Sequence, residues 1–428
     1  MRYAVLTFGC RVNQADSFGF EEELLSAGHT QGDVSSADLV VVNTCSVTAS
    51  ADQAARQAIR RVTRLNPGAK LVVTGCYATR RPQDVIDLPN VLCVVPNEDK
   101  PRLIQIALGE PSLGEVMPAM TTASRFGVGD GSCGAPIAPG AGGRTAFTLR
   151  VQTGCGEQCS YCVIPTTRGV PRSRSVVEVV AEARRVASAG FKEIVVTGVH
   201  LGSYGRDFDV PASLADLLRA LESVQPELLF RISSLEPMDC TPDIVSLVAT
   251  SRVFAPHFHL PLQHATDRML RAMKRPYTFK YYSDLVAGIR ARLPHASIGS
   301  DVIVGFPGET VEDFDALAGY LEQSPLTHLH VFPYSDRPGT AASAMTEKVS
   351  GTVVRDRAAR LRQISERLAK EFKRRQVGAT YRALTIDDGS MAVTGNHLKL
   401  RIHEGRPRNV WLQVKVEMEN GVLRGQVV

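Results

Sequence analysis

Cys155, Cys159 and Cys162 stand at C-x3-C-x2-C spacing in Gly154-Cys155-Gly156-Glu157-Gln158-Cys159-Ser160-Tyr161-Cys162. The chain has nine cysteines in 428 residues. At a cysteine frequency of about 2%, those two offsets arise by chance in under about 1% of such chains. Three thiolates on one short loop can hold three irons of a cubane cluster and leave the fourth open to an external ligand. An open position separates a reactive metal site from a structural one. The alternative is a zinc knuckle, although no Cys or His follows at a spacing that completes one.

Cys10, Cys45 and Cys76 form a second set. Each follows an apolar, β-rich run: Leu6-Thr7-Phe8-Gly9-Cys10, Val42-Asn43-Thr44-Cys45 and Val73-Thr74-Gly75-Cys76. They lie 35 and 31 residues apart, about the length of one βαβ unit. Successive parallel strands therefore carry all three to one sheet edge, where open α/β folds bind ligands. This predicts a second cluster with an open iron; three unrelated buried cysteines are the alternative. Cys93 reads as core, Cys133 as linker and Cys240 as the start of a helix, none with a function.

The elements that must position these thiols follow from the pattern. Apolar residues make up 44% of the chain and charged residues 22%, and the net charge is +5. These values exclude collagen-like, disordered and short disulfide-scaffold classes. Met1–Thr7 lacks a signal-peptide pattern, and no apolar run reaches the roughly 18 residues of a membrane span. The expected location is cytoplasmic, where thiols stay reduced and disulfides are disfavoured.

Strands are predicted at Tyr3–Thr7, Leu39–Val42, Leu71–Thr74 and Val91–Val95, with helices at Ala15–Ala27 and Ser50–Leu65. Pro111–Gly143, rich in Gly, Pro, Ala and Ser, reads as a linker. Six further strands follow: Phe147–Gln152, Glu193–Thr197, Leu228–Ser233, His257–Leu260, Ile298–Val304 and His328–Phe332. Helical stretches, such as Val176–Ala189 and Glu312–Gln323, separate them.

The fold class is α/β. It comprises an N-terminal Rossmann-like or flavodoxin-like parallel sheet, a central open partial (β/α)6 TIM barrel and a small C-terminal all-β barrel. The expected units are 1–112, a linker at 113–144, 145–376 and 377–428. Val353–Gln376 reads as a long helix, and residues 355–375 hold nine Lys/Arg against three acids. That stretch is either an electrostatic footprint for phosphates or a solvated face.

These motifs resemble the radical S-adenosylmethionine (SAM) superfamily, whose signature is C-x3-C-x2-C with an aromatic before the last Cys, here Tyr161. Three strand-end cysteines, a radical core and a TRAM-like β domain are similar, over essentially the whole chain, to the methylthiotransferase family. Thr7-Phe8-Gly9-Cys10-Arg11-Val12-Asn13-Gln14, Thr197-Gly198-Val199-His200-Leu201-Gly202-Ser203-Tyr204-Gly205 and His330-Val331-Phe332-Pro333-Tyr334-Ser335 resemble its branch acting on threonylcarbamoyladenosine in tRNA. Branches acting on isopentenyladenosine tRNA or a ribosomal protein are the alternatives. An iron–sulfur RNA-binding protein without SAM chemistry is the rival from another class.

The resemblance implies two [4Fe–4S] clusters. One, on Cys155, Cys159 and Cys162, would bind and cleave SAM; the other, on Cys10, Cys45 and Cys76, would carry the sulfur to be installed. It implies SAM contacts from Tyr161, Thr197 and Gly198. It extends them to Gln263 in His257-Phe258-His259-Leu260-Pro261-Leu262-Gln263. Arg231 and Ser233 end the neighbouring strand and are expected at the same mouth. His257 and His259 read as packing in preference to metal ligation. Gly305-Phe306-Pro307-Gly308-Glu309 would admit the cofactor closely or form an ordinary turn before a helix. His264-Ala265-Thr266 departs from the small Ser-Gly-Ser-like run usual in the family. The implied product is a 2-methylthio group on adenine C2. No side-chain base can deprotonate that C–H, so a cofactor-borne radical is required. The implied partners are tRNA through its anticodon loop, a reductase such as flavodoxin or ferredoxin, and a sulfur donor, with no membrane.

Overall fold

The computed structural model describes residues 1–109, 138–139, 144–403 and 405–428. Apart from residues 138, 139 and 144, the predicted linker lies outside them, as does Cys133.

The first sheet has five parallel strands in the spatial order Thr30–Gln31, Arg2–Thr7, Leu39–Thr44, Lys70–Gly75, Val91–Val95. This is the flavodoxin-like order, with its ligand crevice beside the first strand. Leu39–Thr44 is buried along its whole length because helices cover both faces. Ala49–Leu65 lays Ala55, Ile59 and Val62 on Val40, Val42 and Val73, and Arg11–Ser26 lays Phe20 and Leu24 on Val41 and Val72. The helix expected from Ala15 starts four residues earlier, immediately after Cys10. The edge strand Thr30–Gln31 has two residues, too few to leave a period in the sequence.

Six parallel strands then run side by side in chain order: Ala146–Arg150, Glu193–Thr197, Leu229–Ile232, His257–His259, Ser297–Val304 and His328–Pro333. The two halves meet where Phe230 bridges Phe254 and Leu235 N donates to His259 O at 2.9 Å. Helices Val176–Ser188, Leu214–Glu222, Pro242–Thr250, Phe279–Arg292 and Val311–Gln323 are each started by a capping hydroxyl, from Ser175, Ser213, Thr241, Thr278 and Thr310. Cys240 therefore precedes its helix, and Thr241 begins it, because the hydroxyl accepts from the Ile244 amide as a thiol does poorly.

Gly351–Arg375 buries Ala358, Leu361, Ile364 and Leu368 and is tied to the last strand where Leu329 N donates to Ser365 Oγ at 2.9 Å. Most of its cations, including Arg362, Arg367 and Lys370, remain exposed. The chain ends in a closed five-stranded barrel. No helix among the described residues is long and apolar enough to cross a membrane.

The open side of the half-barrel is covered by Arg11–Ser26. Phe18 stacks on Phe147 with ring centroids 5.5 Å apart. Asp16, fully enclosed, pairs with Lys100 at 2.6 Å, Arg168 at 3.2 Å and Arg150. Burial alone would raise its pKa; the three cations outweigh that and hold it well below the usual carboxylate range. Its stabilising charge is thus present above the unfolded carboxylate pKa and fades as pH falls through that range toward the depressed folded value. Asp16→Asn leaves three cations facing an uncharged amide. We expect a loss of about 3–5 kcal/mol in denaturant titration at neutral pH, with the difference from the parent chain shrinking in acid. An unchanged midpoint would show that the cluster does not join the two units.

Candidate functional site

Each cysteine set is brought together by glycine. Gly9, Gly75 and Gly154 directly precede Cys10, Cys76 and Cys155, and all three have positive φ, at 88°, 99° and 77°. A Cβ on Gly9 would lie 2.4 Å from Cys45 Sγ, one on Gly75 2.1 Å from Thr44 O, and one on Gly154 1.9 Å from Val170 O. Only glycine combines that backbone with that proximity. These Gly-Cys pairs are the signal from which the strand-end turns could have been located.

In the first set, Cys10 caps Arg11–Ser26, Cys45 follows Leu39–Thr44, and Cys76 opens Cys76–Arg80. Cys45 and Cys76 are buried and Cys10 is exposed. Burial, reinforced by the neighbouring Cys10 and Cys76, pushes Cys45 up to about 11. Burial also opposes charge on Cys76, but Arg168 and Lys100 outweigh it and hold that thiol below its ordinary value.

In the second set, burial pushes Cys162 up to about 12, with Cys159 and Cys155 adding to it. Burial likewise raises Cys159, against the opposing charge of Arg275, whose Nη1 donates to Cys159 Sγ at 2.9 Å. The loop is pinned where Ser160 N donates to Met273 O at 3.1 Å and Ser160 Oγ to Ala272 O at 2.8 Å. His200 Nδ1 is buried, with the Cys155 thiol beside it and Glu157 Oε1 3.9 Å away. The other ring nitrogen, Nε2, is 2.9 Å from Asp239 Oδ2. A buried ring nitrogen beside one sulfur and a guanidinium directed at another fit an anionic iron–sulfur group held by these thiolates. Loading such a group releases the thiol protons.

Two arginines join the units that carry the sets. Arg168, six residues after Cys162, donates to Asn13 Oδ1 and Asp16 and faces Cys76. Arg337 donates to Asp52 Oδ2 at 3.0 Å and to Ser46 Oγ at 2.9 Å, next to Cys45. A half-open cavity of about 170 Å³ lies where residues next to Cys45 meet residues of the half-barrel. Its walls are Val47 and Thr48 from one side and Tyr161, Gln263, Asp301 and Ile303 from the other. Ala49 N donates to Ser335 Oγ at 3.0 Å across the rim. Sequence reasoning missed both arginines, since nothing local marks a side chain that bridges units more than 100 residues apart.

Thr197 ends its strand, and a Cβ on Gly198 would lie 2.9 Å from Gln152 Oε1. Ser233 is half-buried just past Leu229–Ile232. Gln263 lines the cavity with a strained φ of 64°. Arg231 requires a correction. Its fully buried guanidinium pairs with Glu193 at 2.7 Å and donates to Gly395 O at 2.8 Å. Glu193 starts its strand, so Arg231 is drawn away from the mouth and seats the C-terminal barrel. Gly305, with φ of 72°, forms the turn before Val311–Gln323, and the atom its Cβ would meet, at 2.3 Å, is Val354 Cγ2 of the long helix. His264, fully buried, lies 3.4 Å from Glu309, so the departing His264-Ala265-Thr266 run packs against the Gly305–Glu309 turn. His257 packs edge-on against His397 of the barrel, at 5.4 Å.

The pattern described as "Uncharacterized protein family UPF0004" matches residues 2–95, and that described as "Radical SAM superfamily" matches 149–321. The chain is 35% identical to threonylcarbamoyladenosine tRNA methylthiotransferase MtaB of Bacillus subtilis, over 86% of this chain and 80% of the relative. It is also 35% identical to the protein of the same name from Aquifex aeolicus, over 94% and 96%. Among solved structures, the radical S-adenosylmethionine methyltransferase TsrM of Kitasatospora setae superposes with a TM-score of 0.56 at 17% identity, covering 80% of this chain and 75% of that one. At that identity the likeness shows the fold alone.

Proposed function

The chain belongs to the radical SAM methylthiotransferase family, and from that premise we propose that it adds a 2-methylthio group to C2 of threonylcarbamoyladenosine next to the tRNA anticodon. It is a SAM-dependent radical enzyme, and the family's chemistry uses SAM and a [4Fe–4S] cluster. The observation that carries the substrate reading is the cavity walled by near neighbours of a cysteine from each set. Val47 and Thr48 follow Cys45 by two and three residues, while Tyr161 immediately precedes Cys162.

Cys155, Cys159 and Cys162 are assigned the SAM-binding cluster, and Cys10, Cys45 and Cys76 a second [4Fe–4S] cluster that carries the sulfur. Bound, SAM and its cluster supply a carbon radical that takes a hydrogen from an aromatic C–H. The residues of the chain do the rest. Arg275 beside Cys159, and Arg168 with Lys100 beside Cys76, place positive charge against each thiol set and oppose the burial that disfavours thiolate. Tyr161 and Gln263, which line the cavity, and Thr197, Gly198 and Ser233, which stand at strand ends, are assigned to SAM and substrate contact. Arg231 is assigned to the barrel interface.

The exposed cations of Gly351–Arg375 suit the phosphates of a tRNA, and the closed barrel beside them is a fold type that binds nucleic acid. The proposed division is 1–112 for the sulfur-carrying unit, 113–144 for a linker, 145–376 for the radical core and 377–428 for the TRAM-like barrel. A cytoplasmic setting, a flavodoxin- or ferredoxin-type reductase and a separate sulfur donor complete the reading. It is tested by anaerobic reconstitution with SAM, a reductant and tRNA, followed by nucleoside analysis. The 2-methylthio form of threonylcarbamoyladenosine is expected, with 5′-deoxyadenosine. Absence of both overturns it.

A further inference from the structure

One wall of the cavity carries a polar group for which a reaction at C2 has no use. Asp301 and His330 face each other in register on adjacent strands, and His259 reaches the same carboxylate from the strand on the other side. Asp301 Oδ1 accepts from His259 Nε2 at 2.8 Å and from His330 Nδ1 at 3.1 Å. Gly299 makes the room: a Cβ there would lie 2.4 Å from His328 Nε2 and 2.8 Å from His259 Nδ1. Gln263 beside them is held at positive φ by its N donating to Asp301 O and its O accepting from Ile303 N, both at 2.9 Å. Strain of this kind is retained where it positions something.

The two imidazoles are not equivalent. His259 is buried, whereas the His330 side chain is 56% exposed. His330 Nε2 makes no hydrogen bond among the described residues. The hydrogen bond to Asp301 also raises the pKa of His330 above its ordinary value, which favours N–H on both ring nitrogens. The remaining wall near Asp301 is apolar, with Val47, Ile303 and Phe332. The cavity thus offers an apolar face to a base, and at its edge stands His330, bonded to the lining Asp301 and with its ring 6.5 Å from that of the lining Phe332.

The threonylcarbamoyl arm on N6 brings a ureido group, a hydroxyl and a carboxylate. An isopentenyl arm brings only carbon and would cover the His330 Nε2–H with no acceptor for it, which sites of this kind reject. Building on the function proposed above, we propose that Asp301 and His330 determine specificity for the threonylcarbamoyl arm. His330 Nε2–H donates to the arm's carboxylate, and Asp301, itself oriented by His259, fixes the ring.

The test is equilibrium binding of the full chain to two anticodon stem-loop RNAs that differ only in carrying threonylcarbamoyladenosine or plain adenosine next to the anticodon. The parent chain prefers the modified loop. His330→Ala is expected to cut that preference by about 10-fold or more, with affinity for the unmodified loop unchanged. His330→Asn keeps a donor for Asp301 but lacks the outer nitrogen, and is expected to lose the preference too. His330→Gln, whose amide nitrogen reaches the Nε2 position, is expected to regain part of it. Full preference in both the Ala and Asn variants overturns the specificity assignment while the function stands. No preference in the parent chain overturns the substrate reading together with it.

Discussion

A Cys159→Ala chain is expected to release no measurable 5′-deoxyadenosine and to bind about four irons where the parent binds about eight. The reason lies in the ligand count. Three thiolates hold three irons, and two cannot retain a four-iron cluster with one open site. Cys159 is the most instructive of the three because Arg275 Nη1 touches its sulfur at 2.9 Å. Arg275 also pairs with Glu236 and contacts Tyr277. Losing the thiol therefore does not strand that buried charge, and the half-barrel keeps its fold. The drop in SAM cleavage is expected to exceed about 1000-fold, since ligand loss removes the cofactor and not merely its tuning, which alone costs about 10–100-fold. Circular dichroism should remain that of the parent. A variant that still cleaves SAM, or that keeps eight irons, contradicts the assignment.

Cys45→Ala separates the two thiol sets. The variant is expected to lose all methylthiolated nucleoside and about four irons while still releasing 5′-deoxyadenosine. Cys45 sits in the turn after Leu39–Thr44, against Gly9 and beside the Ser46 that Arg337 holds. Alanine keeps the Cβ that packs on Gly9 and removes only the sulfur, so the clamp between the units survives. The SAM-cleaving set lies on another loop with its own supports at Met273 and Ala272. Uncoupled cleavage without product is the expected signature. If cleavage disappears as well, the two sets do not have separate roles.

The thiols were legible because their signals are local. A C-x3-C-x2-C loop needs no tertiary context, and cysteines after three apolar runs some 30 residues apart require only that parallel strands share an edge. The six strands of the half-barrel were legible for the same reason, each being a short β-rich run between helices whose hydroxyl caps mark their starts. Where reasoning failed, the deciding partner lay far away in sequence. Alternation tells which face Arg231 occupies but not which way its long side chain runs along the strand. That was set by Glu193 and by the carbonyl of Gly395, in a barrel 164 residues downstream. Gly305 carries the φ expected of a turn, yet its crowded neighbour is Val354 of the long helix. The Asp16 cluster, Arg168 and Arg337 left no trace in any pattern, because three cations on one buried carboxylate arise only when two units are pressed together.

The most direct measurement of the central claim is the identity of the nucleoside made in the cell. Transfer RNA from cells lacking this gene, digested and analysed by mass spectrometry, should lose the 2-methylthio form of threonylcarbamoyladenosine. It should accumulate the unmethylthiolated nucleoside and keep the 2-methylthio form of isopentenyladenosine unchanged. Loss of the isopentenyl form with the threonylcarbamoyl form intact would contradict the account.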